Sequence, residues 1–107
     1  MMETLIALHN SFVGKGMNES VWVSRTWSGV KGYSYYIHEN NYGYVIWDIQ
    51  KWLRQVKDVN VWVKPYEKGW SCCVDRGLLC DEYRLHHEID FEEALIIGLE
   101  QSLYYVN

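Results

Sequence analysis

The sequence predicts an α+β fold in a single two-layer domain spanning 1–107. An antiparallel sheet of about four to five strands, built as two hairpins, is expected to pack against helices. The predicted order is helix, strand, strand, helix, strand, strand, a short further strand, helix. Three observations carry this. Segments with apolar residues three and four apart are interleaved with segments that alternate every second residue. The links between strand-like segments are short and contain glycine, as hairpin turns do. Strands joined by hairpins run antiparallel and leave one face for helices to cover.

Composition agrees. The chain has 107 residues, 49% hydrophobic and 16% aromatic, with one proline and a formal net charge of -4. One domain is expected at that length. So apolar a chain with so little net charge is not disordered, and no apolar run approaches the roughly 18 residues of a membrane span.

The first helix is expected near Thr4 to Val13, because Leu5, Leu8, His9, Phe12 and Val13 share one helical face and Gly14 and Gly16 supply a stop. Val21 to Ser24 and Tyr33 to His38 are rich in residues that suit a pleated, half-buried surface. The stretch Trp27 to Gly32 between them is a hairpin turn, and Glu39 to Gly43 is a loop. A second helix follows, with Val45, Ile49, Trp52, Leu53 and Val56 on its apolar face and Asp48, Lys51, Arg54 and Gln55 elsewhere.

The period then changes from 3.6 to 2. Val59, Val61 and Val63 face one way; Asn60, Trp62 and Lys64 face the other. Pro65 ends that strand or sits at an edge, since it cannot donate to a ladder. Tyr66 to Gly69 is a tight turn, Trp70 to Val74 the return strand, and Tyr83 to His87 a further short strand. The last helix starts at Asp90, which with Glu93 forms an Asp-x-x-Glu capping box. Phe91, Ala94, Leu95, Gly98, Leu99, Ser102, Leu103 and Val106 form its apolar stripe. Gly98 inside a helix costs about 1 kcal/mol against alanine, so a close approach to another backbone is expected there.

Candidate chemistry is sparse. Cys72, Cys73, Cys80, His86 and His87 are the residue types zinc prefers, but an adjacent pair followed by a gap is not knuckle spacing. On a strand, Cys72 and Cys73 also point to opposite faces. Cys72, Cys80, His86 and His87 are therefore the candidates for a metal or small-molecule site, with packing as the plainer role. There is no Gly-x-Ser-x-Gly, phosphate loop or dinucleotide fingerprint. No catalytic residue and no cofactor are expected. Asp90, Glu92 and Glu93 are explained by a helix start. Helix, strand, strand, strand, helix from Val45 onward loosely resembles a double-stranded-RNA-binding domain. Such a domain grips phosphate with a basic start to its final helix, where this chain carries acids. Lys51, Arg54 and Lys57 form only a small basic patch, so nucleic acid is a minor alternative.

Six Trp and nine Tyr exceed what a small core needs. The expectation is a non-enzymatic interaction module with an aromatic surface made from Trp62, Tyr35, Tyr104 and Tyr105, binding a protein partner or a second copy in a homodimer. The N-terminus, Met1 to Thr4, lacks a basic n-region, and Leu5 to Leu8 is too short for a signal peptide. With an odd number of cysteines, the chain is expected to start at or near Met1 and to be cytoplasmic.

Gln50 to Arg54, Val59 to Val63, Gly69-Trp70 and the ending Asp90 to Glu100 together resemble a family of small uncharacterised proteins of Bacteroides-type genomes and their prophages. The resemblance covers about sixty residues. Asp90 stands where that family has Thr or Ser, and Ile96-Ile97 where it is more polar. The resemblance implies an α+β accessory protein of a prophage or mobile element. It implies no catalytic residues.

Overall fold

A computed structural model describes residues 2–86 and 88–106. The mixed α+β class holds, with three α-helices and five strands. The strands form two antiparallel sheets rather than one. β1 (Val23–Trp27) pairs with β2 (Tyr33–Ile37), and β3 (Val59–Tyr66), β4 (Gly69–Arg76) and β5 (Leu79–Arg84) form a meander. The physical reason lies on the outer edge of β3. Pro65 has no N–H to offer there, and the Val61 carbonyl accepts from the Gln50 side-chain amide at 2.9 Å. A side chain thus occupies the edge that a further strand would need.

α1 (Met2–Gly14) buries Leu5, Leu8, His9 and Phe12, as its spacing predicts. α2 (Tyr42–Trp52) buries Val45, Ile46 and Ile49. It then widens into a π-helical turn over Leu53–Lys57, which Asp58 closes with φ 55. A wider turn shifts the face each residue presents. Leu53 stays fully buried, but Val56 turns outward and is 60% exposed, against the expectation that it belongs to the apolar face.

In the meander, Val61 lies opposite Val74, and Val63 opposite Cys72. Both pairs point at α3 (Phe91–Ser102), which packs across β3 and β4. The turn between β3 and β4 is Glu67-Lys68, as read from sequence, with Glu67 at φ 49. Gly77, at φ 62, opens the turn into β5. That strand begins at Leu79, well before the expected Tyr83. It is an edge strand with both faces wet for most of its length, so its residues carry no alternation. His87 lies outside the described residues.

α3 starts where predicted. The Asp90 carboxylate accepts from the Glu93 N–H at 2.8 Å. At Gly98 the expected close approach is to side chains of the sheet rather than to backbone. A Cβ there would lie 2.7 Å from Val61 Cγ1 and 3.3 Å from Cys72 Cβ. Phe91, expected on the buried stripe, is 42% exposed, although its ring meets Trp70 of β4 edge to face. α2 packs beside α3, and α1 closes the core against α2, α3 and β2. Among the described residues no helix is long and apolar enough to cross a membrane.

Candidate functional site

The four aromatics expected to make one surface are scattered. Trp62 lies on the meander face away from α3, and its indole N–H donates to Asp75 Oδ2 at 2.8 Å. Lys64 reaches over it, 5.9 Å from the ring centroid, while pairing with Glu82 at 3.2 Å. Trp62 is therefore a half-buried part of a polar sheet face. Tyr105 is on the opposite face, where its hydroxyl donates to Asp81. That leaves the Tyr105 oxygen to accept from Tyr83, 3.1 Å away. Both partners, the carboxylate most, push the Tyr105 phenol far above its ordinary value. Tyr35 is half-buried in the other sheet, opposite Arg25. Of the four, Tyr104 alone is openly exposed, at 79%.

The possible metal ligands do not converge either. Cys72 is buried toward α3, whereas Cys80 is exposed on the far face beside Asp75. His86 follows the end of β5. Among the described residues no group of three or more His, Cys, Asp or Glu is placed to hold a metal. Of the basic trio, Lys51 lies 4.9 Å from the Trp47 ring centroid, Lys57 lies 5.7 Å from that of Trp52, and Arg54 is exposed on the π-helical turn.

Folding brings a serine, a histidine and an aspartate together in a way the sequence did not announce. His9 is fully buried, and its Nε2 accepts the Ser20 backbone N–H at 2.9 Å. Its proton is therefore on Nδ1, facing Asn10 Oδ1 at 3.0 Å. Ser20 Oγ donates to Asp48 at 2.6 Å. A nucleophilic serine would give its proton to the imidazole, which the carboxylate would orient. Here the imidazole is occupied by backbone and the carboxylate holds the hydroxyl. The cluster ties the segment after α1 onto α2.

A groove of about 710 Å³ lies between the first turns of α2 and α3. Ile46 and Leu95 are its buried floor; Tyr44, Trp47 and Phe91, 53%, 50% and 42% exposed, stand around it. Two of the three rings are braced from outside the groove's lining. Tyr44 stacks on Trp22 at 4.7 Å, and Phe91 meets Trp70 edge to face at 5.3 Å. Glu92 is half-buried in the wall. Its charge, followed by burial and then by Asp90, raises the Tyr42 phenol above its ordinary value. A signal for this groove was present in the sequence: Tyr44, Trp47 and Lys51 follow at three and four spacing on the α2 face opposite Val45 and Ile49. It was hidden because that face also carries the charged residues that mark a solvated side.

These elements define an α+β domain whose second half runs α-β-β-β-α and whose two bordering helices hold an aromatic groove. No family model, no curated protein and no solved structure matches the chain.

Proposed function

We propose that this chain is a non-enzymatic protein-interaction module, of the kind a prophage or mobile element carries as an accessory, and that it binds a partner protein through the groove between α2 and α3. The observation that carries this is the gathering of Tyr44, Trp47 and Phe91, each about half exposed, over one apolar floor. Interface centres are enriched in such residues, and braced rings lose little entropy on binding. The accessory role rests on the resemblance of the second half. Three free thiols support a reducing, cytoplasmic setting. The acids at the start of α3 weigh against nucleic acid.

The test is selection of a random peptide library against immobilised protein. Enriched peptides should bind the native chain and lose at least about tenfold in affinity against Trp47→Ala. Circular dichroism and thermal midpoint must stay unchanged in that variant. Peptides that bind both proteins alike, or no enrichment, would remove the reading.

A second copy as partner is favoured by a separate observation. On the β1–β2 ribbon, Trp27 and Tyr33 are 63% and 48% exposed beyond the point where Ile37 enters the core. Native mass spectrometry at micromolar concentration should then give twice the chain mass, and Trp27→Ser should return a monomer. A monomer for the native chain would dismiss the homodimer.

A further inference from the structure

We infer that the groove receives a basic segment of its partner, with an arginine or lysine laid against Trp47 and Phe91 and paired with Glu92, and apolar neighbours filling the floor over Ile46 and Leu95. This rests on the interaction reading above and adds the chemistry of what is bound.

The argument begins with charge. No lysine or arginine lines the groove, yet a half-buried carboxylate does. Among the described residues Glu92 is in neither of the salt bridges, Arg25–Glu19 and Lys64–Glu82, and its bond is to a neutral donor, the Tyr42 hydroxyl. Asp90 and Glu93 flank it at the start of α3 and add the same sign. The same negative charge, with burial, raises the Tyr42 phenol above its ordinary value. A carboxylate left half out of water gains most from a donor that can pair with it. An acidic or neutral partner would bury Glu92 at a cost instead.

The rings decide what kind of cation fits. Aromatic faces attract ammonium and guanidinium groups through the ring quadrupole, more strongly as water is excluded. Trp47 already shows that attraction within the chain. Lys51, outside the groove lining, holds its Nζ 4.9 Å from the ring centroid. A guanidinium stacks on such rings while its fork meets a carboxylate, so arginine satisfies both features at once. A free inorganic cation would satisfy Glu92 and leave the apolar floor wet. A purely apolar peptide would do the reverse.

The test uses the peptides enriched in the library selection. They should carry arginine or lysine beside two or more apolar residues. Replacing that residue by glutamine should weaken binding by about tenfold or more. Glu92→Gln should weaken the basic peptide several-fold and leave its glutamine counterpart unaffected. Glu92 is at the surface end of the helix, and unchanged circular dichroism confirms the fold. Enriched peptides that are neutral or acidic, or that tolerate the change to glutamine, would overturn the inference while their dependence on Trp47 kept the interaction reading. Absence of any Trp47-dependent peptide would overturn both.

Discussion

Cys80 is exposed, yet it is a poor nucleophile. Its thiol faces Asp75 across the strand pair, and the carboxylate, with lesser help from burial, pushes it up to about 11. Thiolate is the reactive form. Asp75→Asn should bring the thiol toward the ordinary 9.0. The anionic fraction at pH 8 then rises about a hundredfold, while the intrinsic nucleophilicity falls, leaving alkylation by iodoacetamide about tenfold faster. An unchanged rate, followed at Cys80 by peptide mass mapping, would show that Asp75 does not control it. Cys72 is also raised to about 11, mainly by burial under α3. For both thiols the folded value exceeds the unfolded one. Their contribution to stability is complete below about pH 9 and is lost as pH rises through about 11. At Gly98 the balance is steric. Alanine gains about 1 kcal/mol of helix propensity but drives a methyl into Val61, and overpacking costs about 1–3 kcal/mol. Gly98→Ala should therefore destabilise in the native background and stabilise when Val61 is already alanine. Denaturant titration of the four proteins checks the sign of that coupling.

At the scale of elements, α3 shows how far local chemistry reaches. Its cap was legible because Asp90 and Glu93 stand three apart ahead of an apolar stripe, and the bond forms at 2.8 Å. Asp90→Ala should cost about 1 kcal/mol and lower the thermal midpoint by about 4–6 °C for a domain of this size. A smaller drop than 1 °C would mean that sheet packing alone fixes the start of the helix. The β3–β4 hairpin was equally legible, since a strand half buried against α3 must alternate. β5 was legible only at its end, Tyr83 and Arg84, because an edge strand wet on both faces has little pattern to read. The π-helical turn at Leu53–Lys57 was invisible for another reason. Sequence periodicity assumes 3.6 residues per turn, and a wider turn carries Val56 out of phase. The groove was hidden for reasons of its own. Trp47 shares its helix face with Lys51, and Phe91 fits the helical stripe yet stays 42% exposed beside Trp70. Trp62 misled in the opposite direction, because Asp75 and Lys64 make an apparent surface aromatic part of a bonded sheet face.

The whole molecule measures 47 × 30 × 20 Å, with a radius of gyration of 14.4 Å, against about 13 Å for a compact chain of this length. The β1–β2 ribbon predicts an uneven distribution of stability along that shape. A two-stranded ribbon is marginal by itself. Here only its base is anchored, by Ile37 and the half-buried Val23, and exposure rises toward Trp27 and Tyr33. The meander has α3 across it and a central strand paired on both sides. Local opening should therefore be cheaper in the ribbon than in the meander. Backbone amide exchange at neutral pH should show at least about tenfold lower protection at Thr26 and Ser34 than at Val74. Protection should climb from the ribbon tip toward Val23 and Ile37. The same measurement repeated at rising protein concentration separates two causes of ordering. If a second copy covers the ribbon, protection at its tip grows with concentration, because association stabilises what it contacts. If the partner binds only at the α2–α3 groove, the tip stays open at every concentration, and protection changes at Tyr44 and Trp47 when a groove-binding peptide is added.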